Sequence, residues 1–203
     1  MPALKSCVIG SHVSFSYNFN GFDTSLTLLF TSVNFVYGCY RKGVSKMAML
    51  ERLENVLKTN KVSYKMFQHP EAFTAQEIAA SLHIPGKELA KVVMVKANGR
   101  FIMAVLPASW RVDLRRLKEV VGEKDLRLAS EEEFRLLFPD CEAGAEPPMG
   151  NLYNMDTFVD ESLAEDENIF FNAGNHYETV KMSYRDYARI VMPEVGEFAI
   201  HLH

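Results

Sequence analysis

From residue 47 onward, apolar and polar positions follow the helical and strand periods of a folded domain. Apolar residues over 49–59 repeat with helical spacing and predict an amphipathic helix. The apolar runs 90–97 and 100–107 predict two strands, and the Asn98-Gly99 pair between them predicts a hairpin turn. Shorter runs predict strands over 62–68, 156–160, 168–173, 177–182 and 197–202.

Polar signals mark where further helices begin. The segments 74–77 and 130–133 are capping boxes, and Asp113 and Ser183 precede two more segments of helical period. The Gly- and Pro-rich segment 139–151 has no period and predicts a loop. Helices and hairpin-linked strands in this order do not form a regular βαβ alternation. We therefore predict an α+β domain with a mixed, mostly antiparallel sheet and packed helices.

Residues 1–46 do not share this periodicity. They are rich in Ser, Phe, Tyr, Asn and Gly, and Asp23 is their only acidic residue. We predict an N-terminal extension that is poorly ordered or not native, with translation starting at Met47 or Met49, and a compact domain over 47–203. A targeting segment and a genuine structural addition are the alternatives for this part of the chain.

The composition is that of an ordinary globular protein. Hydrophobic residues make up 48% of the chain and charged residues 24%. No apolar stretch reaches the roughly 18 residues of a membrane-spanning helix, so we expect no membrane association. The three cysteines, Cys7, Cys39 and Cys141, form no CxxC pair. We therefore expect a reduced, cytoplasmic protein with no metal site and no cofactor.

Charge is distributed unevenly along the chain. The net charge of −4 combines +5 over residues 87–127 with −11 over residues 128–170. This balance excludes a uniformly basic nucleic-acid coat and leaves room for a local basic face that meets a phosphate backbone.

Three places carry residues suited to binding or catalysis. Lys91 opens an apolar strand, where its ammonium can pair with a phosphate or steady a developing oxyanion. The loop 144–150 can present backbone groups closely to a small substrate. His176, in the turn 172–176, and His69 are candidate acid, base or hydrogen-bonding groups. Each of these features also has an ordinary structural interpretation as a solvated side chain or a surface connection.

Other catalytic classes find less support. Cys141 with His69 or His176 would make a thiol enzyme, but Asp140 and Glu142 flank the cysteine and disfavour its thiolate. The chain has no Walker A or GxGxxG sequence, which argues against nucleotide hydrolysis and dinucleotide binding.

In the order and spacing of its motifs, the sequence resembles the YbaK/prolyl-tRNA-synthetase-associated domain family. The resemblance rests on the segment 69–86, the strand 90–95, a GxxxP element at 144–148 and the Asn-Ala-Gly turn at 172–174. It covers about residues 47–200. It implies an editing-domain-like α+β fold for the compact domain.

The resemblance also implies roles for individual residues. The family lysine falls on Lys91, which would be the catalytic group, and the family's glycine turn falls on Gly174. The substrate-binding set would comprise residues from four segments: His69, Thr74, Gly144, Ala145, Pro148, Gly150, Asn172, Gly174 and His176. Glu146 and His176 depart from a uniform family pattern, which leaves the identity of the substrate amino acid open.

Family members are aminoacyl-tRNA deacylases, so the resemblance implies hydrolysis of a mischarged tRNA carrying a small amino acid. The implied partners are the 3′ end of an aminoacyl-tRNA and an aminoacyl-tRNA synthetase, with no role for DNA. Arg111, Arg115 and Arg116 form the candidate face for the acceptor end. The alternatives are a non-catalytic tRNA- or nucleotide-binding module and a regulatory domain acting through the acidic 128–170 surface.

Overall fold

The computed structural model describes residues 7–9, 12–14, 16–19, 22–25 and 47–201, with side chains described from residue 51 onward. The chain divides into two compact units between Arg41 and Lys42. In the first unit, the described strands form two antiparallel hairpins: β1 (Cys7–Ile9) with β2 (His12–Ser14), and β3 (Ser16–Phe19) with β4 (Phe22–Ser25). The expectation that residues 1–46 are an extension without a folded role stays a prediction.

Four α-helices of the second unit, those that follow Thr74, Asp113, Ser130 and Ser183, begin where the polar signals predict. Thr74 and Glu77 exchange hydrogen bonds in a capping box, and the Asp113 carboxylate accepts from two backbone amides of its helix. Within residues 47–201 the α-helices are α1 (Met47–Thr59), α2 (Ala75–Leu82), α3 (Leu114–Val121), α4 (Glu131–Phe134), α5 (Glu161–Ala164) and α6 (Tyr184–Val191). Two 3-10 turns accompany them, at Arg135–Leu137 and Gly150–Tyr153.

The strands of this unit fall into three sheets. They are β5 (Tyr64–Gln68), β6 (Ala90–Ala97), β7 (Arg100–Pro107), β8 (Trp110–Val112), β9 (Leu126–Leu128), β10 (Asp156–Asp160), β11 (Asn168–Asn172), β12 (Glu178–Ser183), β13 (Glu194–Gly196) and β14 (Ala199–His201). The largest sheet has the order β13-β10-β7-β6-β9, the second the order β11-β12-β5, and β8 pairs with β14.

The sheets are mixed and mostly antiparallel, which confirms the predicted fold class. Strand β10 runs parallel to β7 and β13, whereas the other pairings of the second unit's strands are antiparallel. The β6–β7 hairpin turns at Asn98-Gly99, as predicted. A parallel bridge between Leu89 and Phe170 joins the start of β6 to β11 and brings the two larger sheets together.

In the second unit, the sequence does not predict four short elements, namely α5, β8, β9 and β13. Each has three or four residues, too few to display a period. Strand β8 depends on pairing with the distant β14, which sequence pattern alone does not reveal. The end of the predicted loop 139–151 winds into the 3-10 turn that begins at Gly150.

The core lies between the sheets and the helices packed on them. Its largest cluster joins α1, β7, β11 and α6 through buried residues such as Leu53, Val105, Phe171 and Tyr187. A smaller cluster of buried residues, which includes Ile78 of α2 and Leu89, packs beside the start of β6. Among the residues described, no helix is both long and apolar enough to cross a membrane.

Candidate functional site

A cavity of about 200 Å³ opens where β6 begins, between α2, the 139–149 loop and the end of β11. Its walls include one cation, one carboxylate and one amide among apolar side chains: Lys91 and Val92 of β6, Ile78 of α2, Gly144 and Glu146 of the loop, and Asn172 of β11. A larger depression of about 430 Å³ lies along α1, and the described residues that line it all belong to that helix, apart from Asn60. The smaller cavity is the candidate site because chemically different groups converge there.

Lys91 reaches the cavity with its ammonium already held in place. Its Nζ donates to the carbonyl oxygen of Ala108 at 3.0 Å and to that of Trp110. Burial, and secondarily the nearby Arg111, lower the pKa of Lys91. An ammonium has three donors, so these two carbonyls leave one N–H for a ligand.

Glu146 brings a carboxylate to the same cavity. The backbone N–H of Gly144 donates to Glu146 Oε1 at 3.2 Å, and the residue is 9% exposed. Burial raises the pKa of this carboxyl. The sequence marks Glu146 only as a departure from the family pattern, because nothing in the sequence shows that its side chain turns inward.

The loop is held in shape by the turn that follows β11. Gly174 donates its N–H to Ala145 O at 3.0 Å and accepts from Glu142 N at 2.9 Å. Gly174 has a φ of +92° and Gly144 a φ of +83°, conformations that glycine adopts without strain. The predicted residues Gly144, Ala145 and Gly174 therefore come together, with Gly144 at the cavity and the other two behind it.

His176 also supports the loop. Its backbone N–H donates to Glu142 Oε2 at 2.9 Å, and its Nε2 lies 3.1 Å from Ala143 O. Its ring packs against that of Phe73 at an interplanar angle of 51°, with the ring centroids 4.8 Å apart. Phe73 is 67% exposed and lines the cavity. Sequence reasoning missed Phe73, although an aromatic residue directly before a helix cap was an available signal.

Two other predicted residues lie outside the cavity lining. The His69 ring is buried, with Nε2 3.1 Å from Thr179 Oγ1 and Nδ1 2.8 Å from Pro70 O. Thr74 caps α2, whose residues Ala75 and Ile78 line the cavity. Binding roles for His69 and Thr74 therefore stay predictions, and their visible contacts are structural.

Pro148 and Gly150 anchor the far end of the loop. The carbonyl of Pro148 accepts from the buried Tyr187 hydroxyl at 2.7 Å. Gly150 donates its N–H to Thr157 Oγ1 at 3.2 Å. Neither residue lines the cavity, so both position the backbone that does.

The alternative of a thiol nucleophile finds no support in the geometry. Burial raises the pKa of the Cys141 thiol to about 12. Its Sγ lies 3.2 Å from the Tyr153 hydroxyl, and it does not line the cavity. Within the described part of the chain, no cluster of three or more His, Cys, Asp or Glu side chains could hold a metal ion.

Comparison with known proteins identifies the class to which this fold and cavity belong. The sequence model of the aminoacyl-tRNA editing domain matches residues 69–190, which include Lys91, the 139–149 loop and β11. The chain belongs to this family, and the resemblance seen in its motifs is confirmed.

Individual relatives fall into two groups. The multifunctional Ser/Thr-tRNA deacylase ProXp-y of Escherichia coli K12 is 35% identical over 112 residues, covering 54% of this chain and 66% of that protein. The proline–tRNA ligase of Dehalococcoides mccartyi is 30% identical over 130 residues, covering 63% of this chain and 22% of the ligase. That of Bacillus cytotoxicus is 29% identical over 121 residues, with 58% and 21% covered. The chain thus spans about a fifth of the length of these two ligases.

Solved structures show the same fold. A protein described as a proposed trans-editing enzyme for prolyl tRNA synthetase superposes with a TM-score of 0.67 at 20% identity, covering 78% of this chain and 99% of that one. A hypothetical protein superposes with the same TM-score at 22% identity, covering 73% and 99%. At these identities the similarity establishes the fold alone.

Proposed function

We propose that this protein hydrolyses the ester that joins a small amino acid to the 3′-terminal ribose of a mischarged tRNA. The observation that carries the proposal is the convergence of Lys91 and the 139–149 loop on one 200 Å³ cavity inside the family's matched region. A cavity of this size can hold a small aminoacyl group, and the fit of the amino-acid side chain would provide the selectivity that an editing site requires.

In this proposal Lys91 is the catalytic residue. Its ammonium, fixed by two carbonyls, keeps a donor for the ribose or the terminal phosphate and so orients the ester. Partial burial strengthens such a contact because less water screens it.

The loop supplies backbone groups in place of a protein nucleophile. An aminoacyl ester needs little activation, so a positioned water suffices as the attacking group. Backbone groups of the loop around Gly144, whose shape the turn at Gly174 holds, would position the ester carbonyl and the attacking water. This role suits a site whose nearest thiol, Cys141, stays protonated.

A basic surface next to Lys91 is the proposed contact for the acceptor end. Arg111 follows Trp110, whose carbonyl holds Lys91, and Arg115 lies exposed on α3. Arg116 is partly engaged by Asp113 and Glu197. The proposed partners are the 3′ end of an aminoacyl-tRNA and, as a second candidate, an aminoacyl-tRNA synthetase, with the reaction in the cytoplasm.

A panel of mischarged tRNAs tests the proposal. Seryl-, threonyl-, alanyl- and cysteinyl-tRNA substrates are incubated with the full chain, and the remaining ester is measured over time. We expect catalytic hydrolysis of at least one small aminoacyl-tRNA and none of a bulky one such as phenylalanyl-tRNA. Binding of these tRNAs without hydrolysis would instead indicate the non-catalytic module, and neither binding nor hydrolysis would refute the proposal.

A further inference from the structure

Glu146 places a carboxylate at the cavity and forms no direct ion pair with another described residue. None of the ion pairs among the described residues includes Glu146. Lys91 lines the same cavity, but its Nζ donates to two carbonyls. A buried carboxylate without a partner cation is costly, so the cavity favours a ligand that brings a positive charge.

Asn172 brings an unsatisfied oxygen to the same cavity. Its Oδ1 is buried and has no hydrogen-bond partner in the described structure, and the residue is part of the cavity lining, as Glu146 is. Buried polar atoms of native proteins are normally satisfied, and a donor from a bound molecule would satisfy this one.

The proposed substrate has one group that matches this wall. A small aminoacyl ester carries a single positive charge, its α-ammonium, with three N–H donors. We propose that Glu146, together with the Asn172 amide oxygen of the same cavity, binds the α-ammonium of the aminoacyl group and restricts the site to esters whose amine is free. This inference rests on the proposed function and deepens it by naming the substrate class.

The geometry gives Glu146 a fixed position for this task. Gly144 N–H holds Oε1 in place, and the hydrogen bonds of Gly174 and His176 hold the loop that carries both residues. Burial raises the pKa of the carboxyl, and a bound ammonium would lower it again by stabilising the charged form. An acylated amine has no positive charge and would leave the carboxylate buried and unpaired.

Binding of an uncleavable substrate analogue tests the inference separately from catalysis. The probes are seryl-adenosine with an amide in place of the ester, and the same compound acetylated on its α-amine. Calorimetric titration is carried out on the wild type, on Glu146→Gln and on Glu167→Gln. Glu167 is an exposed glutamate outside the cavity lining, so Glu167→Gln makes the same chemical change at a position that does not contact the cavity.

We expect the wild type to bind the free-amine probe roughly 10- to 100-fold more tightly than the acetylated one, as a charge-assisted contact gives. Glu146→Gln should lose most of that preference, and Glu167→Gln should keep it. The glutamine keeps an acceptor for Gly144 N–H, so the loop should fold, and thermal unfolding checks that it does.

Three results would overturn the inference. One is an equal preference for the free amine in Glu146→Gln and the wild type. Another is a wild type that binds both probes with the same affinity. The third is a Glu146→Gln variant that slows hydrolysis of free and acetylated esters by the same factor, because loss of a general base would have that effect. A preference seen in binding without any ester hydrolysis would uphold the ammonium site while refuting the deacylase.

Discussion

Strand β6 carries a lysine near each end, and the two ammonium groups have different partners. Lys96 pairs with Glu133 at 3.2 Å and lies over the Phe101 ring, with its Nζ 5.2 Å from the centroid. Arg127 also binds Glu133, in a bidentate arrangement with two contacts of 2.7 Å. Lys91 is partly buried at the cavity, and among the described residues its acceptors are the backbone carbonyls of Ala108 and Trp110.

The difference separates a structural cluster from a site. At the Lys96 end, cations and carboxylate neutralise one another, and the Arg127 and Lys96 contacts lower the pKa of Glu133. At the Lys91 end, the cation and the carboxylate of Glu146 line one cavity without forming an ion pair, and burial moves the pKa of Lys91 down and that of Glu146 up. Charges left unpaired around an empty volume are typical of binding sites.

The largest expected effect comes from exchanging the two lysines for alanine. Lys91→Ala should reduce deacylation of a mischarged tRNA by about 100-fold or more, since it removes a preorganised donor. Lys96→Ala should retain nearly full activity because the contacts of the Lys96 ammonium, with Glu133 and the Phe101 ring, lie away from the cavity lining. Initial deacylation rates are measured on the same tRNA, and thermal unfolding checks that both variants fold. Equal rates for Lys91→Ala and Lys96→Ala would contradict a catalytic role for Lys91.

A second substitution tests whether packing holds the cavity loop. A Cβ at Gly150 would lie 2.4 Å from Thr157 Oγ1 and 2.5 Å from Met155 O. Because one obstacle is backbone, Gly150→Ala should lower the free energy of unfolding by about 1–3 kcal/mol. Gly86→Ala is the matched control, since its nearest neighbour, Ser109 Cβ, lies at 3.7 Å. Equal denaturation midpoints for the two variants would contradict this account of the loop.

The pH dependence of stability sharpens the contrast at the cavity end. Burial raises the pKa of Glu146 above 4.5, so the folded state holds a proton that the unfolded state releases. Wild-type stability should therefore fall as pH rises from 4.5 through the folded-state pKa. Glu146→Gln lacks this loss, and its stability relative to the wild type should grow across that window. Urea unfolding at several pH values measures the difference in the free energy of unfolding between Glu146→Gln and the wild type. A difference that does not change with pH would contradict a raised pKa for the buried carboxyl.

The smallest effect is expected for Glu133, at the Lys96 end of β6. Its contribution to stability should depend on pH in the opposite direction to that of Glu146. The pKa of Glu133 lies below 4.5 in the folded state, so its stabilisation is present above pH 4.5 and is lost as pH falls through the folded value. Glu133→Gln should be modestly less stable than the wild type at neutral pH, and the two should converge in acid. Lys96 and Glu133 are both partly solvent-exposed, so added salt should also reduce the stability difference between Glu133→Gln and the wild type.

The sequence predicts the frame of the fold better than the interior of the site. The β6–β7 hairpin and the cap at Thr74 follow from local chemistry, because a two-residue turn and a capping box each lie within a few residues. Lys91, Gly144 and Asn172 were identified through motifs, and they do line one cavity. The inward turn of Glu146 and the carbonyls that hold Lys91 depend on tertiary pairing, which no local pattern encodes.

The cavity at the start of β6 is proposed to receive the aminoacyl end of a tRNA. A crystal structure with the amide-linked seryl-adenosine analogue is the most direct test. We expect the seryl group inside the 200 Å³ cavity and Lys91 Nζ within hydrogen-bond distance of a ribose or phosphate oxygen. An analogue bound elsewhere, such as in the depression along α1, or one that makes no contact with Lys91, would contradict it.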